Sequence, residues 1–207
     1  MQKPKAEKRA ENIAHILLSR GAVIFEDKLL HSERTAPVYV DCRVLNGYPR
    51  EAKIIAGCMA DLIKHLEFDR VAGVAYGGIP MATMVAWSND WPLLVARKEA
   101  KEYGTKQLII GPYEANDRVV LIEDVVTTGK SVLKTALTYR TAGLQVSGLA
   151  TLVDACQDGL EALAEEKITA HTCTDLRTII EMARSTGRLN DTVRYELCKK
   201  YAPARTY

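Results

Sequence analysis

Glu123 and Asp124 stand side by side at the end of an unbroken apolar run, Val119-Val120-Leu121-Ile122. Two apolar residues later comes Thr127-Thr128-Gly129-Lys130-Ser131, which leads into a stretch with helical spacing. A helix N-terminus presents unpaired N–H groups and partial positive charge, which suits a phosphate. Thr127 and Thr128 add hydroxyl donors, and Gly129 lets the backbone approach an anion closely. Two carboxylates do not suit a bare phosphate. They suit sugar hydroxyls, or a divalent cation held partly by the sugar. The segment Glu123–Ser131 is therefore shaped for a ribose 5-phosphate, with acid at one end and a phosphate cradle at the other. A nucleotide-binding loop ending in Gly129-Lys130-Ser131 would need a glycine where this chain has Asp124, so that reading fails. An ordinary strand end with helix-capping threonines explains Thr-Thr-Gly but not the acid pair.

Two further segments carry chemistry. Tyr76-Gly77-Gly78-Ile79-Pro80 follows the apolar run Val71–Ala75, and its two glycines free the backbone to turn around an anion. Arg97-Lys98-Glu99-Ala100-Lys101 places three cations in five residues ahead of Tyr103 and Gly104, in a polar stretch with the composition of a mobile loop. A plain tight turn and a solvated charged face are the bland accounts of each.

The elements that must position these residues form a rhythm. Residues 4–20 read as an amphipathic helix ended by Gly21. Val23–Phe25 and Val38–Val40 read as strands, and residues 49–66 as a helix opened by Pro49. Apolar strands are then expected at 71–75, 93–96, 118–122, 146–153 and 168–173. Helices are expected to about 88, over 131–142 and 159–166, and from 176 onward. Continuous apolar strands alternating with helices indicate an α/β fold with a mostly parallel sheet of about five strands, covered on both faces. In such sheets ligands bind at the carboxyl ends of the strands, where the acid pair and the Tyr76–Gly78 turn fall. Residues 1–45 break the rhythm and are expected to form a helix and hood segment. Residues 46–175 are then the core and 176–207 C-terminal helices, within one domain spanning 1–207.

The composition, 47% hydrophobic and 26% charged over 207 residues, excludes a disordered or collagenous chain. A net charge of +2 argues against nucleic-acid binding. No run approaches the about 20 apolar residues of a membrane span, and the charged start lacks a secretory signal. Five cysteines without a C-x-x-C pair read as reduced thiols in a cytoplasmic protein, and the four histidines lie far from any zinc-like pattern.

The pattern of four apolar residues, Glu-Asp, two apolar residues and Thr-Thr-Gly resembles the phosphoribosyl pyrophosphate (PRPP) motif of the type I phosphoribosyltransferases. Three other segments resemble the orotate phosphoribosyltransferases: Ala75–Pro80, Arg97–Gly104, and Leu30-His31-Ser32-Glu33-Arg34-Thr35-Ala36-Pro37-Val38-Tyr39. Together they span about residues 20–155. The resemblance implies a type I phosphoribosyltransferase fold and a pentosyl transfer from Mg²⁺-bound PRPP to orotate, in de novo pyrimidine and UMP synthesis. It assigns the PRPP site to Tyr76, Gly77, Gly78, Arg97, Lys98, Lys101, Glu123, Asp124, Val125, Val126, Thr127, Thr128, Gly129, Lys130 and Ser131. It assigns orotate to His31, Arg34, Tyr39 and Thr128. Catalysis falls to Lys101, Asp124, Glu123 and Tyr103, with the magnesium held mainly by PRPP and by Asp124. A homodimer is implied, with loop 97–110 shared across subunits, as is association with orotidine monophosphate decarboxylase. The departures are His31 for lysine, Tyr103 for histidine, and Asp154-Ala155 where the family usually reads Asp-Arg with the arginine reaching the base. That leaves Arg34, His31 or backbone amides to hold the acceptor. A transferase for another base, or a non-catalytic PRPP sensor, are the other readings.

Overall fold

The structure is a computed structural model that describes residues 4–25, 38–97 and 108–202, with the backbone of 28–29 and 35–36. The chain opens with helix α1 (Lys5–Ser19), ended by Gly21 at a φ of +72°. Short strands β1 (Val23–Ile24), β2 (Lys28–Leu29), β3 (Thr35–Ala36) and β4 (Tyr39–Val40) follow, paired β1 with β4 and β2 with β3, both antiparallel. A 3₁₀ turn (Cys42–Gly47) leads into α2 (Pro49–Ile63), with proline in the first turn as expected.

The core then alternates: β5 (Arg70–Gly73), α3 (Gly78–Trp87), β6 (Leu93–Ala96), β7 (Ile109–Ile110), β8 (Arg118–Val126), α4 (Lys130–Thr141), β9 (Gln145–Asp154), α5 (Gly159–Glu165), β10 (Ala170–Asp175), α6 (Leu176–Ser185) and α7 (Asp191–Tyr201). The sheet order is β10-β9-β8-β5-β6-β7. All its pairings are parallel except β6 with β7. The chain enters at β5, runs outward to β6, then returns to the other side of β5 with β8. The crevice between β5 and β8 is thus where strand order reverses, the place such sheets hold ligands.

Two apolar layers cover the sheet. One packs α1, α2 and α3 around residues such as Ile13, Leu17, Met59 and Ile122; the other packs α4 and α5 around Val119, Leu121, Tyr139 and Leu163. Val119 through Ile122 are all fully buried, as a central strand between two helix layers requires.

Helix α1 buries Ile13, Ala14 and Leu17 fully and packs on β10 and α6. Two expectations need correction. The sheet has a sixth, antiparallel strand, β7, whose two residues are too short to show a period in the sequence. Strand β8 does not stop at Ile122 but continues through the acid pair to Val126, because β9 supplies partners for Glu123, Val125 and Val126. The helices from Leu176 pack against α1 and one another, with Leu176, Ile180, Leu197 and Cys198 in a third apolar cluster. No helix among the described residues is long and apolar enough to cross a membrane, and all five cysteines are free.

Candidate active site

The site is built where the carboxyl ends of β5 and β8 meet. The backbone N–H of Val74 donates to the Ile122 carbonyl at 2.9 Å, tying the two ends together. The following turn, with a cis Ala75–Tyr76 peptide, brings Gly77 and Gly78 onto the acid pair. A side chain at Gly77 would collide with the Asp124 carboxylate, and one at Gly78 with the Ile122 carbonyl and, at 3.2 Å, with Glu123 Oε1. These glycines are required by close approach, which is a stricter reason than turn flexibility. Gly73 is constrained in the same way by Ile79, whose Cα would lie 2.6 Å from an added Cβ.

The two carboxylates differ. Glu123 is 5% exposed, and its Oε1 accepts the Asp124 N–H at 3.0 Å. Burial first, then the hydrogen-bonded Asp124 side chain and its charge, push the Glu123 carboxyl well above its ordinary value. Asp124 is half-buried, and its Oδ1 accepts the N–H of Val125 at 2.9 Å. Beyond them Thr127 and Thr128 are exposed, as are Lys130 and Ser131. Gly129 takes a φ of +74° with its Cα face against the Gly159 carbonyl, a position closed to a larger residue. Helix α4 then starts with no side-chain cap, so no capping side chain takes up its first-turn N–H groups.

The structure therefore brings together Tyr76, Gly77, Gly78, Glu123, Asp124 and the 125–131 segment. Arg97 closes β6 through its N–H, which donates to the Leu108 carbonyl at 2.8 Å. Tyr39 lies on β4 beside the 3₁₀ turn. His31, Arg34, Lys98, Lys101 and Tyr103 lie outside the described residues. Ala155 is 5% exposed and follows the buried Asp154 at the end of β9, where Asp154 Oδ1 accepts the Cys156 N–H at 2.9 Å.

One neighbour escaped the sequence reading. Cys42, the first residue of the 3₁₀ turn, is buried, and its thiol is pushed up by burial and then by Asp124, Asp41 and Glu123. The Asp41-x-Arg43 spacing was the turn's only trace in the chain.

A phosphoribosyl transferase domain model matches residues 45–182, two-thirds of the chain, including β5, α3, β8 and α4. Orotate phosphoribosyltransferase from Methanosarcina mazei is 36% identical over 162 residues, 78% of this chain and 87% of that one. This chain belongs to the orotate phosphoribosyltransferase family. The uridine 5′-monophosphate synthase of Caenorhabditis elegans is 34% identical over 183 residues, covering 87% of this chain but only 37% of that protein. The crystal structure of orotate phosphoribosyltransferase from Aeropyrum pernix superposes with a TM-score of 0.72 at 32% identity, over 82% of this chain and 97% of that one. The expected α/β fold with a mostly parallel sheet is thereby borne out. The family assignment also accounts for why glycines, acids and an uncapped helix converge at one switch point.

Proposed function

We propose that this chain transfers the phosphoribosyl group of Mg²⁺-bound PRPP to orotate, giving orotidine 5′-monophosphate and pyrophosphate. The observation that carries the reading is the acid pair at the β5/β8 switch point, set beside two exposed threonines and an uncapped helix start. In this reading Val125–Ser131 hold the 5′-phosphate through backbone N–H groups and the hydroxyls of Thr127, Thr128 and Ser131, with Lys130 adding charge. Asp124, with Glu123 beneath it, holds the ribose hydroxyls. The Asp124 charge favours the positive charge that develops on the ring as the C1–oxygen bond to pyrophosphate breaks.

Gly77 offers its backbone N–H to pyrophosphate beside Tyr76, while the Gly78 N–H donates to the Val74 carbonyl at 3.0 Å and Gly78 serves by its lack of a side chain. Arg97, Lys98 and Lys101 stabilise the charge building on the leaving oxygen, most strongly in the transition state. The orotate ring nitrogen, deprotonated, forms the new bond to C1, so no dedicated base is needed. Tyr103 or Lys101 is suited to pass a proton. His31, Arg34, Tyr39 and Thr128 line the acceptor side.

Magnesium fits as a shared ligand. Among the described residues no group of three or more His, Cys, Asp or Glu side chains is placed to hold a metal. The donor that fits is Asp124, with PRPP oxygens supplying the rest, the usual habit of a hard cation that keeps few protein ligands. The ion neutralises the pyrophosphate charge when bound.

The reading extends to the assembly. Trp87 on α3 is 75% exposed and Ile54 on α2 is 47% exposed, and the same two helices line a groove with Ala52, Ile79, Pro80 and Met84. Exposed apolar side chains on these helices support a homodimer, with loop 97–110 reaching the partner's site. The product must lose its carboxyl group to become uridine monophosphate. The uridine 5′-monophosphate synthase relative, of which this chain spans 37%, supports association with orotidine monophosphate decarboxylase. Residues 1–207 act as one catalytic unit in this reading, in the cytoplasm.

The test is a base panel. Purified protein with Mg²⁺ and PRPP is offered orotate, uracil, hypoxanthine, adenine and nicotinate in turn, and pyrophosphate release is followed. Release with orotate alone is the expected result. Release with another base overturns the acceptor but keeps the PRPP site. PRPP binding without release from any base moves the chain to a non-catalytic sensor.

A further inference from the structure

The chain that leaves β9 folds back over the turn that leaves β8. The Ala155 N–H donates to the Val126 carbonyl at 2.8 Å, and Asp154 Oδ1 accepts the Cys156 N–H at 2.9 Å. Cys156 and Asp158 then take positive φ values of +55° and +59°, two tight bends within three residues. They deliver Gly159, the first residue of α5, onto the back of the Thr127–Gly129 turn.

The contact is backbone against backbone. A Cβ added to Gly159 would lie 2.2 Å from the Thr127 carbonyl oxygen and 2.9 Å from the carbonyl carbon. The oxygen is the nearer atom, so the Thr127 carbonyl points at Gly159. In return, the Gly159 carbonyl would meet a Cβ on Gly129 at 3.0 Å. Both glycines are buried, whereas Thr127 and Thr128 are exposed. The turn thus has a back packed on α5 and a face open to solvent.

A trans peptide holds its C=O and the following N–H in opposite directions. The Thr127–Thr128 peptide is trans, and its carbonyl is turned to the back. The Thr128 N–H is therefore turned to the open face, where no described residue accepts it. An unpartnered amide on such a turn suits an anion. Any side chain at position 159 must displace the Thr127 carbonyl by about 1 Å to reach ordinary contact. That displacement rotates the whole peptide plane, amide included.

We propose that Gly159 is a positioning residue for the 5′-phosphate of PRPP: by leaving room for the Thr127 carbonyl, it aims the Thr128 N–H at the phosphate. The inference rests on the PRPP reading above and adds to it a residue from α5. In the sequence Gly159 marks only the start of a helix, because the turn it supports lies some 30 residues earlier in the chain.

Calorimetric titration of the full chain with ribose 5-phosphate and, separately, with Mg²⁺ and pyrophosphate tests it. Ribose 5-phosphate carries the phosphate in question, and pyrophosphate serves as the control for the other end of the site. Gly159→Ala is expected to raise the Kd for ribose 5-phosphate about 10- to 100-fold, the scale of a 1 Å misplacement, with the Kd for pyrophosphate unchanged. The KM for PRPP should rise with the first constant. A general loss of structure would weaken both ligands alike, so an equal rise in both Kd values overturns the proposal, as does no change in either. Should Gly159→Ala fail to fold, Leu163→Val decides. Leu163 is buried on α5, with Cγ 3.5 Å from where a Cβ on Gly129 would sit, so trimming it loosens the same back wall. A smaller rise confined to ribose 5-phosphate is expected there, and an unchanged Kd overturns the proposal. If the wild-type chain does not bind ribose 5-phosphate, the phosphate-cradle reading has failed and this inference with it, which is seen before any variant is made.

Discussion

Neighbouring residues on an extended strand face opposite sides of the sheet, so Glu123 and Asp124 meet different surroundings despite their adjacency. Glu123 is buried beneath Gly78, while Asp124 is half-buried beside Gly77. The sequence made both acids visible but not their inequality, because burial at one position depends on a loop 45 residues earlier in the chain. Glu123 also makes a prediction about stability. Burial, with the neighbouring Asp124, raises its folded pKa above the ordinary value of 4.5. A carboxyl raised in this way contributes stability that is complete below its unfolded pKa and is lost as pH rises through the folded one. Glu123→Gln removes that dependence. Urea unfolding midpoints from about pH 5 to pH 9 should show the variant gaining on the wild type as pH rises. Parallel curves would mean that Glu123 does not titrate in the folded chain.

At the scale of elements, the alternation of strands and helices was readable because each central strand is an unbroken apolar run buried on both faces. The failures were of two kinds. Strand β8 overran its apolar segment because ladder partners such as Val153, opposite Val125, outweigh the polar side chains. Nothing in the amphipathic pattern of α1 says that the surface it covers is β10 and α6. The amino-terminal ends of β5 and β8, opposite the site, hold a set of pairs that no motif announced. Arg70 Nε donates to Asp117 Oδ2 at 2.8 Å, and Arg118 Nε to Asp69 Oδ2 at 3.2 Å. Asp117 also accepts the Glu114 N–H at 2.9 Å, and Asp69 the Arg118 N–H at 2.8 Å. These backbone N–H groups first, and the arginines second, hold both carboxyls below the ordinary 3.8. Groups lowered in this way contribute stability that is present above the unfolded pKa and is lost as pH falls through the folded values. Asp117→Asn should therefore lower the thermal midpoint at pH 7 and make its fall below about pH 4 shallower, with kcat at neutral pH unchanged. A fall in kcat together with the midpoint would show that this end of the sheet is coupled to the site.

At the scale of the whole molecule, the proposed site draws on two parts of the chain. Its phosphate cradle, acid pair and glycine turn come from β5, β8 and α4, whereas the proposed leaving-group cations Lys98 and Lys101 belong to loop 97–110. If that loop acts in the partner's crevice, the two halves of one active site come from different subunits, and defects in each half should complement. Lys101→Ala disables the loop a subunit donates, and Asp124→Asn disables the crevice it keeps. A heterodimer of the two variants then pairs both defects in one site and leaves the other site intact. Random exchange makes about half of the dimers mixed, so an equal mixture should recover about one-quarter of wild-type activity from two preparations that are each nearly inactive. The measurement is pyrophosphate release after co-incubation under conditions that permit subunit exchange, with exchange itself followed by a tag on one variant. Recovery to that level would also explain the exposed Trp87 and Ile54 as the surface that brings two crevices together. Exchange without recovery would place loop 97–110 over its own subunit's crevice. The chemistry would then be complete in a single chain, and the apolar patch on α2 and α3 would need a reason other than catalysis.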